Sequence, residues 1–146
     1  MRRIALVVGL AVALAAAPAA LGSSPQSVVF TMARDFNVGS DTWSATGAVA
    51  DAGPFTDDPA FFAGHSLTLH GDRTLTGRFG TLTLRFDVRL IPTSDPNVFA
   101  VTGRWSALRG TGSYAALHGA GTVDEVFNVA AGTVGGNWSG FMVTDP

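Results

Sequence analysis

The chain has no cysteine and no lysine, and a single glutamate and a single tyrosine among its 146 residues. Without Cys there is no disulfide framework, no thiolate metal site, no cysteine nucleophile and no lipid-bearing cysteine. Basic charge is scarce as well. Nine Arg face eleven acids, for a net charge of −2, and the charges are scattered. That removes the basic footprint a nucleic-acid partner needs. There is no Gly-x-Ser-x-Gly elbow and no His-Glu-x-x-His helix motif, so neither of these catalytic signatures is present. The length suits one domain and not two.

What is present begins with an address. Met1-Arg2-Arg3 is a short positive region, and Ile4 to Ala17 is an unbroken apolar run of fourteen residues. Pro18 ends the run and small residues follow. Cleavage fits after Ala19 or after Gly22. Residues 1–22 are therefore expected to be a signal-peptide helix, and residues 23–146 one β-barrel domain. A retained membrane anchor is the alternative, but the run is short against the roughly 20 residues of a span. The expected destination is secreted or periplasmic, with no membrane attachment after cleavage. Seven Arg against eleven acids leave residues 23–146 at −4. A domain of that size buries roughly 65% of its unfolded surface, enough for a core without staples.

Residues 23–146 read as strands and turns. The clearest run is Thr81 to Leu90: Leu82, Leu84, Phe86, Val88 and Leu90 fall on one face, with Thr81, Thr83, Arg85, Asp87 and Arg89 on the other. Such alternation marks a half-buried strand, because successive side chains point to opposite faces. Shorter alternations run through Val28, Phe30, Met32, Phe36 and Val38, and through Trp43 to Val49. They recur at Leu67 and Leu69, at Phe99, Val101 and Trp105, at Val123, Phe127 and Val129, and over Trp138 to Thr144. Gly, Asp, Asn and Pro punctuate them at short spacings, as in an all-β meander. Tyr114 to Leu117 is the one helix-like turn. A sandwich and a barrel both bury the shared face. Closure also removes exposed strand edges, so we expect an all-β, antiparallel barrel of about eight strands.

Residues 103–121 are rich in glycine. Gly110, Gly112 and Ala115 fit a dinucleotide-binding spacing, but strand-type segments flank them where a crossover helix would be needed. The structural reading is that Gly110-Thr111-Gly112 makes a tight strand exit. Tyr114 and Leu117 then plug the barrel end, and Gly119 and Gly121 allow re-entry where positive φ or close backbone approach is required.

The same run, Gly110-Thr111-Gly112-Ser113-Tyr114 with Leu117, Gly119 and Gly121, resembles the turn of allene oxide cyclase-like barrels, and dirigent-like barrels carry a related one. The opening Gly77-Arg78-Phe79-Gly80-Thr81-Leu82-Thr83-Leu84 is similar to that of small bacterial families of unknown function in that group. The resemblance spans about residues 64 to 130. It implies a calycin/allene oxide cyclase-like antiparallel barrel, often oligomeric. The plant cyclases isomerise an unsaturated fatty-acid epoxide inside the barrel. Their active residues lie outside the matched motifs, and no catalytic residue is carried over.

Few side chains suggest chemistry. Glu125 shares a strand face with Val123, Phe127 and Val129, and Arg34 interrupts the row of Phe30, Met32 and Phe36. If those faces are interior, an Arg34–Glu125 pair would form there, with the carboxyl desolvated as a general acid or base requires. The alternative is that both faces point outward, since buried charges are rare. Asp51 to Ala63 reads as a Pro-broken loop whose Phe55, Phe61 and Phe62 cap a barrel mouth, form an oligomer contact or fold onto the core. His65 and His70 fall on opposite faces of one strand and His118 stands alone, so no metal site is expected. Asp57-Asp58 lacks a calcium-loop pattern. Nothing calls for a cofactor.

Three readings follow. The first is an exported barrel binding a small apolar ligand through Arg34, Glu125, Phe61 and Phe62. The second is an isomerase or cyclase of the allene oxide cyclase type. The third is a structural, oligomer-forming envelope protein with a solid core. An internal cavity separates the third from the others, and a desolvated, convergent polar set separates enzyme from binder.

Overall fold

A computed structural model describes residues 24–58 and 67–145, together with the backbone of Phe61 and Phe62. The expected leader over residues 1–22, and His65, lie outside the described residues. Alternation sets every long strand. In β6 (Thr81–Pro92), Leu82, Leu84, Phe86 and Val88 are buried and Leu90 packs against them, while Arg85, Asp87 and Arg89 are exposed. Each such side chain taken fully from water contributes about 1.5–3 kcal/mol. The same parity sends Val28, Phe30 and Met32 of β1 (Gln26–Asp35) inward, and Trp43 and Ala45 of β2 (Ser40–Gly47). Val101 and Trp105 of β7 (Val98–Gly110), Val123 of β8 (Leu117–Asn128), and Trp138 and Met142 of β9 (Thr133–Thr144) point into the same core.

The remaining strands are β3 (Ala52–Asp57), the two-residue β4 (Phe61–Phe62) and β5 (Thr68–Thr76). Hydrogen-bonded neighbours follow the order β3-β2-β1-β9-β8-β7-β6-β5-β4, all antiparallel, and β3 also pairs with β5. That last pairing closes an eight-stranded barrel, with β4 extending the edge beside β5. The closing seam is short: Phe55↔Leu75, Thr56↔Thr74 and Asp57↔Arg73. Trp43 staples it, because its Nε1 donates to the carbonyls of Pro54 at 3.1 Å and Thr76 at 3.2 Å.

Several expectations are corrected. Residues 52–57 are a strand and not a loop. Pro54 lies opposite Thr42 in the short β2–β3 ladder, and Phe55 is core. The row Phe30, Met32 does not continue through Phe36 and Val38, because Phe36–Gly39 is a turn with Gly39 at φ +64°, and both apolar side chains are exposed. Val129 likewise sits in the β8–β9 turn. Tyr114–Leu117 is not a helical turn. The 3-10 turn is Gly112–Tyr114, and Leu117 already opens β8.

The glycines of β8 serve close approach. A Cβ on Gly121 would meet the Ser139 carbonyl oxygen and the Trp105 indole, and one on Gly140, its partner in β9, would also meet Trp105. The Trp105 ring thus lies across bare backbone, edge-on to Phe30 with ring centroids 5.5 Å apart. A Cβ on Gly119 would meet the Phe141 carbonyl and the Met142 sulfur. Gly112 is the member of this segment that needs positive φ, +59°.

Candidate functional site

Near one end of the barrel, charge replaces hydrocarbon in the inward rows. Arg34 follows Met32 on β1, and Asp57 follows Phe55 on β3. Arg73 precedes Leu75 on β5, and Glu125 stands between Val123 and Phe127 on β8. Strand parity, fixed by the apolar neighbours, turns all four inward. Both charged faces singled out by sequence therefore point into the barrel and not outward.

They form one continuous chain of ion pairs, and it is not the expected one. Arg34 does not bond Glu125. Its Nε and Nη2 donate to Asp41 Oδ1 and Oδ2, each at 2.7 Å, and its Nη1 donates to Asp57 Oδ2 at 2.9 Å. The cross-strand register places Arg34 opposite Asp41, so the nearer carboxylate takes the guanidinium. The cation facing Glu125 is Arg73. Its Nε and Nη2 donate to Asp57 Oδ1 and Oδ2 at 2.8 and 3.0 Å, and its Nη1 donates to Glu125 Oε1 at 3.4 Å. Trp138 Nε1 donates to the same Oε1 at 2.9 Å. The Arg73 guanidinium lies over the rings of Phe55 (4.2 Å), Trp138 (4.8 Å) and Phe86 (5.6 Å), a cation–π setting that suits arginine.

Arg73 and Glu125 are 6% and 5% exposed. Burial pushes the Glu125 carboxyl above its ordinary range, and Arg73 and Trp138 pull the other way without cancelling it. The Arg34 guanidinium is held more firmly charged, first by its hydrogen bonds to Asp41, against the effect of burial.

Above this polar chain lies a cavity of about 370 Å³. Phe86, Val88, Val101, Phe127, Val134 and Trp138 supply most of its wall, and Arg34, Asp57, Arg73 and Glu125 its polar part. It lies at the barrel end that carries the β1–β2 and β8–β9 turns, which are tied together by Phe36 N–H to Gly132 O at 2.9 Å. Phe36, 56% exposed, stands at this mouth with its ring 6.1 Å from Phe127. The opposite end is shut. Tyr114 is buried there, and its hydroxyl donates to Asp51 Oδ2 at 2.5 Å. That bond holds the Asp51 carboxyl below its ordinary range, while burial foremost, and Asp51 next, push the Tyr114 phenol far up.

No protein-family model, curated protein or solved structure matches this chain.

The structure brings Arg34 and Glu125 to one cavity but joins them only through Asp57 and Arg73. Phe61 and Phe62 pair by backbone with His70 and Leu69 of β5, and Leu69 lines the cavity; the two Phe side chains lie outside the described residues. Gly110, Gly112, Tyr114 and Gly119 build the shut end, away from the mouth, and Gly121 lies under Trp105. Sequence reasoning missed Arg73 altogether. The signal was the alternation Leu69, Gly71, Arg73, Leu75, in which glycine and arginine hide the inward face. His70 lies on the outside beside Asp87 (3.3 Å) and His118 beside Asp145 (2.9 Å). Among the described residues no group of three His, Asp or Glu could hold a metal ion, and no helix is long and apolar enough to cross a membrane.

Proposed function

We propose that the protein is an exported barrel that binds one small, mainly apolar molecule in its open end. The observation carrying this reading is the cavity itself. It is apolar over most of its wall and holds a few charged groups at fixed positions, as small-molecule sites do. Its volume falls at the low end of the roughly 300–1,000 Å³ usual for such sites. A solid-cored envelope protein would have no use for this space.

The test is native mass spectrometry of protein purified from its own source, with Val134→Trp as the blocked control. A co-purifying small mass, absent from the variant, is the expected result. A bare chain mass, together with no change in Trp fluorescence when lipid-like probes are added, would remove the reading and favour the envelope protein.

One observation favours a second reading, an isomerase or cyclase in the style of the resembled barrels. The Arg73–Glu125 set is desolvated and converges on the cavity, as catalytic groups do. Yet its guanidiniums are engaged by carboxylates, which suits holding a ligand better than turning it over. Chemical change of the co-purified molecule on incubation with the protein would decide for catalysis.

A further inference from the structure

The carboxyl of Glu125 is asymmetric. Oε1 accepts from Trp138 Nε1 at 2.9 Å and from Arg73 Nη1 at 3.4 Å, so both of its lone pairs face donors. A proton on this group therefore has one place to sit, Oε2. Among the described residues no donor meets Oε2, and Glu125 belongs to the cavity wall.

Charge counting points the same way. Asp41, Asp57 and Glu125 share two guanidiniums. Arg34 is forked onto Asp41 and Arg73 onto Asp57, so two aspartates balance two arginines and Glu125 is the surplus. Its link to Arg73 is the longest ion pair of the chain. Among the described residues the groups facing it are few: Arg34 from β1, Asp41 from β2, Asp57 from β3, Asp58 just after it at the rim, and Arg73 from β5. Among the described residues β6, β7 and β9 offer it only apolar side chains and the Trp138 indole. A surplus carboxyl among aromatic rings, beside a second carboxylate, is better neutral than ionised.

We infer that Glu125 meets the occupant as a neutral carboxylic acid whose Oε2–H donates a hydrogen bond, and that the occupant is a neutral apolar carbonyl compound. This rests on the binding reading above and adds the chemistry of the ligand's polar end. An ammonium at Oε2 would need the ionised carboxylate and would sit next to the Arg73 guanidinium. An organic anion would find no free cation, since the Arg34 and Arg73 guanidiniums are already held by Asp41 and Asp57. A ketone or ester oxygen asks only for the donor, and its chain lies on the apolar wall. Burial raising the Glu125 pKa supports the same assignment.

The sequence makes the test clean, because Glu125 is the only glutamate. The full chain labelled at the glutamate carboxyl carbon gives one resonance, which reports this protonation directly. Methyl octyl ketone is the probe, with decylamine and decanoate as chain-matched controls, and binding is followed by Trp fluorescence. On the acid side of the Glu125 resonance shift the ketone is expected to bind at least about tenfold more tightly than either control. Its affinity should fall by at least about tenfold as pH rises through the Glu125 resonance shift, and the bound ketone should move that shift upward. In Glu125→Gln, whose amide keeps a donor but cannot titrate, the pH profile of ketone binding should flatten. Preference for the amine or the anion overturns the inference, as does ketone affinity constant across the Glu125 titration, or a Glu125 resonance that titrates no higher with ketone bound than without it. Binding without ketone preference removes this inference alone. Failure of all three compounds to bind removes the cavity reading with it.

Discussion

Replacing Arg73 by Met is the sharpest probe of the polar chain. Methionine retains an unbranched stem among Phe55, Phe86 and Trp138 but removes the three charge-assisted bonds to Asp57 and Glu125. Removing one partner of a buried ion pair costs about 3–5 kcal/mol, because the other charge is stranded. Two circumstances put the cost here at the low end, about 3 kcal/mol: Asp57 keeps Arg34, and Glu125 can take up a proton. For a domain of this size that is about 10 °C in Tm. The pH dependence has a definite sign. Arg73 works against the burial that raises the Glu125 pKa, so its loss raises that pKa further. A group raised in the folded state gives its full stabilisation below the unfolded pKa and loses it as pH rises through the folded one. Arg73→Met should therefore differ least from the native protein at about pH 5 and most at about pH 8. Urea unfolding followed by Trp fluorescence at the two pH values measures this. Adding Glu125→Gln should recover at least about half of the deficit at the higher pH, because a neutral amide is not stranded. A deficit equal at both pH values, or single-variant costs that simply add, would refute the coupling.

Two further outcomes concern the scaffold. Gly121→Ala should cost at least about 3 kcal/mol, since its methyl meets backbone and the Trp105 ring, whereas Gly39→Ala should cost about 1 kcal/mol from left-handed backbone alone, with nothing within 4 Å of the new atom. Denaturation midpoints of the pair give the comparison, and equal costs would contradict it. Trp43→Phe should destabilise by about 1 kcal/mol more than Trp105→Phe, because the Trp43 indole holds the seam carbonyls while the Trp105 N–H is buried with no partner among the described residues. Thermal unfolding of both variants decides the order.

Strand alternation made most of the barrel legible from sequence. Leu82 to Leu90 could not be arranged otherwise, and β7 and β9 followed the same logic. Closure was harder to see. The strand that completes the circle carries Pro54 and only one large buried side chain, Phe55, so its composition reads as a loop until Trp43 and the β5 edge are in place beside it. The ends of alternating rows also misled: Phe36, Val38 and Val129 keep the parity in sequence, but turns carry them out of the sheet. At the site, Glu125 was visible as a carboxyl on an apolar face. Its partner was not, because pairing between β5 and β8 passes through the interior, and strand-by-strand parity does not say which inward charges meet across it.

The first and last strands run side by side, with Gln26 opposite Met142, and both leave the sheet at the end sealed by Tyr114. Anything attached at Ser24 or Asp145, whether a bead, a fusion partner or a surface, would hold the molecule by its base and leave the aperture facing the surrounding fluid.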